Sequence, residues 1–342
     1  WVCEKYLTGR GAAHGILIKS GEALETAGNI DTVLMDKTGT LTEGRPQLVS
    51  IRPVGITADE LIALAAALEA GSEHPIAAAI RTYAEEREHT VPAVADFQAV
   101  FGKGVRARIG GADCAAGNAA LLAELNVPLS GEITTALDEM AGRGETALAV
   151  VRAGRIVGLL GVRDAEKPTS AAAVAQMKSM GLTPLMLTGD DERTAQVIAA
   201  RLGIDRVIAG VLPDGKRDTV ATLQAEGRTV AMVGDGVNDA AALAQASTKG
   251  LGIAMGSGTD VAIEVADMTL MNSSLASAAA AIRMSRSTLR VIKQNLFWAF
   301  FYNVLMVPLA IAGLLSPMLA SAAMACSSVF VVLNSLRLRA AR

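Results

Sequence analysis

Residues 32–42, TVLMDKTGTLT, join a short apolar run to an acidic residue and a glycine-containing turn. Such a run predicts a buried strand that ends in a loop. Ligand chemistry in open α/β sheets gathers at strand ends, so Asp36 stands where an aspartate can attack a phosphoryl group. Lys37 and the backbone amides of residues 38–40 would offset the phosphate charge. A plain turn after a strand accounts for a single Asp-x-x-Gly, but not for the whole stretch.

Two later apolar runs also end in polar loops: Thr188-Gly189-Asp190 after residues 184–187, and Asp235 with Asn238 and Asp239 after residues 229–233. Taken alone, Thr-Gly-Asp is typical of any turn. Helices of about a dozen residues separate the apolar runs. This alternation predicts a parallel, doubly wound α/β sheet, and the continuously apolar strands suit a sheet covered on both faces.

Together the three loops contain the groups that phosphoryl transfer needs: a nucleophile, a donor to the phosphate, a cation and carboxylates for a metal. We expect Asp36 to be the nucleophile, Thr188 to bond the phosphate oxygens and Lys216 to neutralise their charge. Asp235 would share Mg²⁺ with Asp36, because a hard cation prefers carboxylate and water oxygens. Asn238-Asp239 would support that metal shell.

The stretch from Asp36 to Thr42 resembles the phosphorylation motif of the P-type ATPases, which are cation pumps on the haloacid dehalogenase fold. The resemblance implies that Asp36 takes the γ-phosphate of ATP and that the backbone carbonyl of Thr38 also binds Mg²⁺. It implies matching catalytic roles for the other motif residues, namely Lys37, Thr38, Thr188, Gly189, Asp190, Lys216, Asn238 and Asp239.

Residues 47–150 interrupt the sheet pattern and predict an inserted α+β domain. Thr57 and Glu60 have the spacing of a capping box in front of an apolar helix. Pro75 suits the first turn of the next helix. On its own, His74 is typical of a histidine at a helix start that makes a local hydrogen bond. Gly102-x-Gly104 on its own is typical of a turn.

Ser72 to Pro75, with Glu69 before them, resembles the nucleotide-binding domain of heavy-metal P-type ATPases. The resemblance implies an adenine pocket formed by Glu69, His74, Gly102, Gly104, Gly117 and Asn118. Glycines let the backbone approach a purine, and a histidine or glutamate can bond its polar edge. This resemblance favours a heavy-metal pump over a calcium or sodium pump.

Residues 294–336 contain no charged side chain. The two runs 296–315 and 317–336 are each long enough to cross a bilayer as a helix, which predicts a transmembrane hairpin with a turn at Ser316. Basic residues on both outer flanks place both ends, and the catalytic domains, in the cytoplasm of a multi-pass membrane protein. A buried helical hairpin in a soluble core is the alternative.

Tyr302-Asn303 and the segment from Met324 to Ser328 resemble the membrane motifs of copper-transporting pumps. The resemblance implies a transported-cation site of Tyr302, Asn303, Met324 and Ser328. The soft thioether sulfur of Met324 suits Cu(I).

The predicted domains are a linker (1–29), a haloacid dehalogenase-like phosphorylation domain (30–46 and 151–275), a nucleotide-binding domain (47–150) and a transmembrane helix pair (294–336). We expect ATP-driven export of Cu(I) or another soft cation, with ATP, Mg²⁺ and membrane lipid as partners. The net charge of −3 gives no basic surface for nucleic acid.

Two other functions compete with the pump: a membrane-anchored haloacid dehalogenase-type phosphatase and a nucleotide-binding regulatory module. Such phosphatases have a general-acid aspartate where this chain has Thr38, which favours a long-lived aspartyl phosphate. A regulatory module would not need Asp36, Lys216 and Asp235 together.

The chain begins at Trp1 and has neither the Cys-Pro-Cys motif nor the Thr-Gly-Glu loop of the family. We therefore expect a fragment that lacks the N-terminal membrane and actuator parts of its pump. Such a fragment would form a slow phosphoenzyme at best and would move no copper alone.

Overall fold

The computed structural model describes residues 11–12, 15–312 and 317–339. The predicted linker residues 1–10 and 13–14 and the predicted turn at Ser316 lie outside the described residues. The strands are β1 (Ile16–Ile18), β2 (Thr32–Asp36), β3 (Gln47–Pro53), β4 (Val94–Val100), β5 (Gly104–Ile109), β6 (Ala112–Gly117), β7 (Thr146–Arg152), β8 (Arg155–Arg163), β9 (Thr183–Leu187), β10 (Arg206–Ile208), β11 (Val230–Gly234), β12 (Leu251–Met255) and β13 (Met268–Leu270).

The helices are α1 (Gly21–Asn29), α2 (Ala58–Leu68), α3 (Pro75–Glu86), α4 (Ala119–Glu124), α5 (Gly131–Gly142), α6 (Ser170–Ser179), α7 (Glu192–Leu202), α8 (Pro213–Ala225), α9 (Ala240–Lys249), α10 (Asp260–Val265), α11 (Leu275–Ile311) and α12 (Pro317–Leu336). A tight turn spans Lys37–Leu41, and short 3₁₀ turns span Val237–Asp239 and Arg337–Arg339.

The chain divides into two compact units. The terminal unit comprises Trp1–Val33, Gln176–Thr183 and Thr219–Arg342, and the central unit comprises Leu34–Ala175 and Pro184–Asp218. In the terminal unit, β12 pairs in parallel with β11 and β13, and β1 pairs antiparallel with β13. Every residue of β11 and β12 is buried, as expected of strands whose two faces are both covered.

Helix α11 is anchored to the rest of the terminal unit by one arginine. Arg286 donates to the backbone carbonyls of Ile30 and Met180 at 2.7 Å each, and to that of Gly28 at 3.4 Å. Carbonyls at the ends of α1 and α6 thereby find donors, which buried backbone groups require. The helix begins at Leu275, about twenty residues before the predicted membrane segment, because hydropathy marks only the uncharged part of a longer helix.

A small polar cluster joins α11 to α12. The Asn295 side-chain amide donates to the Ser335 hydroxyl at 2.9 Å, and that of Asn334 donates to the Asn295 carbonyl oxygen at 2.9 Å. These contacts pair residues 40 and 39 positions apart, so the two helices run antiparallel. The predicted helical hairpin is therefore present in the described residues.

The central unit contains a six-stranded antiparallel sheet in the order β3-β8-β7-β6-β5-β4. Side chains alternate between its faces. Leu148 and Val150 of β7 pack with α2 and α3, while Ala149 and Val151 pack with α4 and α5. The sheet runs from Gln47 to Arg163, past the 47–150 boundary predicted for the insert, and that boundary stays a prediction.

The predicted capping box at the start of α2 is confirmed. The Thr57 hydroxyl accepts from the Glu60 backbone N–H at 3.2 Å, and the Glu60 carboxylate accepts from the Thr57 N–H at 2.8 Å. Pro75 is likewise the first residue of α3. The capping box thus fixes the start of α2, and Pro75 fixes the residue at which the turn containing Glu69 and His74 ends.

Candidate active site

Asp36 is the last residue of β2, in which every residue is buried. The chain then turns through Lys37–Leu41, where Thr38 keeps an extended backbone and Gly39 has a φ of +71°. Residues with a Cβ rarely adopt that left-handed conformation. Thr42 closes the turn, because its N–H donates to the Lys37 carbonyl at 3.1 Å and its hydroxyl oxygen lies 3.0 Å from the same carbonyl. A buried strand thus places an aspartate at the start of a tight turn.

A second aspartate, Asp164, clamps the far side of this turn. Its carboxylate accepts hydrogen bonds from the Thr42 hydroxyl at 2.5 Å and from the backbone N–H groups of Gly44 and Arg45 at 3.2 and 3.0 Å. Hydrogen bonds to a charged acceptor are stronger than neutral ones. The clamp therefore holds the chain where it leaves the Lys37–Leu41 turn.

Two neighbours of Asp164 in sequence hold the turn as well. The Lys167 ammonium donates to the Gly39 carbonyl at 2.5 Å, and the Ser170 hydroxyl donates to the Leu41 carbonyl at 2.8 Å. None of Asp164, Lys167 and Ser170 is among the residues predicted from the sequence to act in the site. Asp164 directly follows β8, in which residues 158–162 are buried, so the strand-end signal that identified Asp36 is present there in a weaker form, interrupted by the exposed Arg163.

Asp36 forms a buried ion pair with Lys216, on the first turn of α8. The Lys216 Nζ lies 2.6 Å from Asp36 Oδ1, and the two side chains are only 10% and 8% exposed. The structure thus brings together the predicted nucleophile and the predicted charge-neutralising lysine, 180 residues apart in sequence. The arrangement places a buried carboxylate directly beside a buried ammonium group.

Lys37 pairs with Asp190, the last residue of the Thr-Gly-Asp motif. Lys37 Nζ lies 2.5 Å from Asp190 Oδ2. The Thr188 hydroxyl donates to that same oxygen at 3.0 Å, and the Thr146 hydroxyl donates to Oδ1 at 3.1 Å. Gly189 carries the chain between Thr188 and Asp190, whose own N–H donates back to the Thr188 hydroxyl at 3.1 Å. The Asp190 carboxylate therefore joins the turn after β2 to the Thr-Gly-Asp segment, both of which are predicted to be catalytic.

The Asp190 carboxylate is ionised. Burial by itself would raise the pKa of Asp190, but the Lys37 ammonium and the hydrogen bonds from Lys37, Thr188 and Thr146 hold that pKa below its ordinary value. A negative charge at this position keeps the Lys37 side chain directed at Asp190 rather than at Asp36.

In the terminal unit, Asp235 directly follows β11, and Asp239 shapes the loop after it. The Asp239 carboxylate accepts from the N–H groups of Asp235 and Gly236 at 3.2 and 3.3 Å. A Cβ on Gly234 would lie 2.6 Å from that carboxylate, so only glycine permits this close approach. Asp239 is almost fully buried, Asp235 is half-buried and Asn238 is exposed. Their predicted metal and catalytic roles stay predictions.

Glu69, the first residue predicted for the adenine pocket, ends α2 and is 4% exposed. Burial raises the pKa of its carboxyl group, against the opposing effects of a hydrogen bond from Ser72 and the charge of Arg81. Arg81 also donates to the backbone carbonyls of Glu69 and Ser72 at 2.5 and 2.7 Å, which fixes the turn between α2 and α3. Glu69 is therefore a buried acid on an ordered turn.

His74 caps the N-terminus of α3. Its Nδ1 accepts a hydrogen bond from the Ile76 N–H at 3.2 Å. Partial desolvation lowers the pKa of His74, with Asp190 opposing and Lys37 reinforcing the shift. A neutral imidazole suits the accepting role. The local hydrogen bond expected for a histidine at a helix start is confirmed, while its contact with adenine stays a prediction.

The remaining four residues of the predicted adenine pocket lie together at one corner of the sheet. Gly104 pairs with Gly117 across β5 and β6, and a Cβ on Gly104 would lie 2.1 Å from the Ala116 carbonyl oxygen. The Asn118 side-chain amide donates to the Gly102 carbonyl at 3.0 Å, and its oxygen caps α4. The structure thus groups these four residues at one corner of the sheet.

The predicted transported-cation residues lie on α11 and α12. Asn303 donates to the Ala299 carbonyl of its own helix at 2.9 Å. Met324 is 63% exposed, and Ser328 is also exposed. The side chain of Tyr302 lies outside the described residues. Among the described residues, α11 is the one helix long and apolar enough to cross a membrane.

Comparisons with known proteins agree with this geometry. The family model of the haloacid dehalogenase-like hydrolases matches residues 30–247, more than half of the chain. The probable copper-exporting P-type ATPase V of Mycobacterium tuberculosis is 51% identical over 97% of this chain and 43% of its own length. The copper-exporting P-type ATPase of Bacillus subtilis is 46% identical over 97% of this chain and 41% of its own length. The chain spans less than half the length of these relatives.

Solved structures extend the likeness to three dimensions. A zinc-transporting PIB-type ATPase in its E2.Pi state is 35% identical, with a TM-score of 0.71 over 98% of this chain and 54% of that one. The catalytic domain of the CPx-ATPase CopB-B is 30% identical, with a TM-score of 0.62 over 80% of this chain and 96% of that one. The predicted haloacid dehalogenase-like α/β fold and the resemblance to P-type ATPases are confirmed.

The variant Asp190→Asn should unfold more easily at neutral pH by about 3 kcal/mol, because it leaves the buried Lys37 ammonium without its charged partner. The pKa of Asp190 is lower in the folded chain than in the unfolded chain, so the stabilisation is present above the unfolded pKa near 4 and is lost as pH falls through the folded pKa. Calorimetric unfolding of both proteins from pH 7 to pH 2 should show a constant gap that shrinks below about pH 4.

The matched control is Asp113→Asn, which removes an exposed aspartate of the same central unit. It should follow the parent protein at every pH. A gap for Asp190→Asn that widens on acidification would contradict the ion pair with Lys37.

Proposed function

The chain belongs to the haloacid dehalogenase-like hydrolases and is homologous to the P-type ATPases, and from this premise we propose that it carries the ATP-dependent phosphorylation site of a heavy-metal export pump. The observation that supports this most directly is the buried pair of Asp36 and Lys216 beside the glycine turn. A carboxylate fixed at a strand end beside a positive charge is the kind of nucleophile that an aspartyl-phosphate mechanism requires.

In the proposed reaction, an Asp36 carboxylate oxygen attacks the γ-phosphorus of ATP. The bond from that phosphorus to the bridging oxygen breaks, and ADP leaves with the electron pair. Lys216 offsets the charge on the transferred phosphoryl group, and the Thr188 hydroxyl bonds one of its oxygens. Asp164 and Lys167 act indirectly, by holding the turn that positions Asp36.

Asp36, Asp235 and the backbone carbonyl of Thr38 would hold Mg²⁺, because carboxylate and carbonyl oxygens are the ligands that a hard cation prefers. The Asp239 carboxylate supports this assignment, since it fixes the backbone of the loop that begins at Asp235. When bound, the ion supplies positive charge to the phosphate oxygens.

We assign adenine recognition to Glu69, His74 and the glycine corner of Gly102, Gly104, Gly117 and Asn118. The carboxyl group of Glu69, buried on this turn and with a pKa raised by that burial, would bond a polar atom of the base. His74 is neutral and exposed, so its imidazole offers the adenine base a second hydrogen-bonding group. Both lie on a turn that Arg81 already orders, so ATP would bind with little further ordering of that backbone.

Helices α11 and α12 would form a membrane hairpin with both ends in the cytoplasm, and Cu(I) would be the cation that the whole pump exports. The relatives named as copper exporters and the soft sulfur of Met324 support this cation. Zn²⁺ or Co²⁺ would more readily use charged or imidazole ligands, which residues 294–336 lack. If Zn²⁺ but not Cu(I) stimulates ATP hydrolysis by the whole pump, Cu(I) is excluded as the exported cation.

Incubation with γ-labelled ATP and Mg²⁺ should phosphorylate the chain in an acid-stable, hydroxylamine-labile form, and Asp36→Asn should abolish the label, because the amide is not a nucleophile toward phosphorus. Asp113→Asn, an exposed aspartate outside the site, should label like the parent. Persistent labelling of Asp36→Asn would refute the proposed nucleophile. A parent that hydrolyses phosphate monoesters without a trappable label would favour the phosphatase.

His74→Gln should weaken ATP binding by about 1–2 kcal/mol, the cost of leaving a polar partner unpaired. The measurement is an isothermal titration of the full chain with a non-hydrolysable ATP analogue. His89→Gln is the matched control, because it removes a histidine near the opposite end of α3. Equal affinities for His74→Gln and the parent would remove His74 from the adenine pocket.

Topology reporters placed at residue 290 and after Arg342 should both report the cytoplasm, because basic residues flank both ends of the uncharged region. The assay is cysteine accessibility or a fused reporter in intact cells. Reporters on opposite sides would mean that the hairpin crosses the membrane once rather than twice.

A further inference from the structure

A groove of about 530 Å³ lies in the terminal unit, between the end of α1 and the middle of α11. We call it the α11 groove, and it is lined chiefly by Gly28, Arg286, Arg290, Lys293, Phe297 and Trp298. None of these residues belongs to the phosphorylation site or to the proposed nucleotide and cation sites. None of the proposed sites therefore accounts for the α11 groove.

The groove carries positive charge that the described chain does not neutralise. The Arg286 guanidinium donates hydrogen bonds to the backbone carbonyls of Gly28, Ile30 and Met180. Arg290 and Lys293 are both exposed, and neither forms an ion pair among the residues that the structure describes. Two unpaired cations beside a concave surface favour an anionic ligand.

The cations and the aromatic rings lie on one side of the helix. Positions 286, 290, 293 and 297 are spaced by four, three and four residues, which brings their side chains to a common face of α11. Gly28 lets α1 close one side of the groove, since a Cβ there would lie 2.2 Å from a Leu289 methyl group. One face thus presents a charged section followed by an apolar section.

The change from charged to apolar coincides with the proposed membrane boundary. Lys293 is the last charged residue before the uncharged stretch 294–336. Phe297 and Trp298 follow within about one turn, and they are 59% and 45% exposed. Trp298 also packs edge-on against Phe330 of α12, with ring centroids 5.4 Å apart. Tryptophan in such a position is typical of the membrane–water interface.

We propose that the α11 groove binds the headgroup phosphate of an anionic phospholipid from the cytoplasmic leaflet. Arg290 and Lys293 hold the phosphate, and Phe297 and Trp298 contact the glycerol and the upper acyl chains. A soluble phosphate could use the cations but not the rings, so the full groove selects a lipid. The assignment rests on the membrane hairpin proposed above.

Trp298 itself can report the occupant, because the chain contains only two tryptophans. In a Trp1→Phe background, Trp298 is the sole indole fluorophore, and lipids brominated on the upper acyl chain quench it on contact. The full chain is reconstituted into vesicles that contain brominated phosphatidylglycerol or brominated phosphatidylcholine. Quenching should favour the anionic lipid by about 25-fold in relative binding constant, since each of the two cations contributes about fivefold.

The double variant Arg290→Gln/Lys293→Gln should lose most of this preference. Lys249→Gln/Arg283→Gln is the matched control, because it removes two exposed cations from α9 and α11 without touching the groove. The charge-conserving variant Arg290→Lys/Lys293→Arg should keep the preference. Soluble glycerol phosphate at millimolar concentration should not reduce quenching.

Several outcomes would overturn the proposal. Equal quenching by both lipids in the parent would deny headgroup selection. A preference that survives in Arg290→Gln/Lys293→Gln would place the lipid elsewhere, and displacement by glycerol phosphate would make the groove a simple anion site. Vesicle flotation separates the remaining cases. If the chain floats but neither lipid quenches Trp298, protein covers the groove and the lipid proposal is wrong. If the chain does not float, the membrane hairpin itself is wrong.

Discussion

The buried ion pair of Asp36 and Lys216 is the interaction on which the chemistry of the central unit depends. Taking two charges out of water costs several kcal/mol per ion, and an apolar pair of similar volume would often serve stability as well. The pair is therefore better explained by chemistry than by stability. A carboxylate 2.6 Å from an ammonium is held in one orientation beside a positive charge, which the proposed attack on an anionic phosphate requires.

That pair requires an ordered turn, and the turn depends on contacts from a distant part of the chain. Gly39 supplies the left-handed backbone, while Asp164 and Lys167 fasten the turn from opposite ends through Thr42 and the Gly39 carbonyl. Lys37 is held away from Asp36 by Asp190, so the two adjacent cations of the site serve different carboxylates. Separating them this way leaves Lys216 as the cation on the nucleophile.

Features set by neighbours in sequence could be predicted, and features set by distant contacts could not. The capping box at Thr57 and the cap at His74 depend on residues two or three positions away, and both appear as expected. Asp164 acts across 122 residues on Thr42, so no local pattern distinguishes it from other aspartates after strands. The helical start of α11 was missed for a similar reason, because packing rather than hydropathy makes residues 275–293 helical.

Helix α11 is long enough to join the packed part of the terminal unit to the proposed membrane hairpin. The helix has 37 residues, about 55 Å, and its first turns are buried through Leu275, Ala278 and Ile282. Arg286 ties it to three backbone carbonyls of the terminal unit. Beyond Lys293 the same helix continues into the uncharged stretch, where Asn295 bonds to α12. In the proposed membrane hairpin, any shift of the backbone that Arg286 contacts therefore moves the start of the uncharged stretch with it, since a helix resists bending more than a loop does. Pro308 interrupts the hydrogen-bonding pattern only near the far end, so a kink there leaves the anchored part straight.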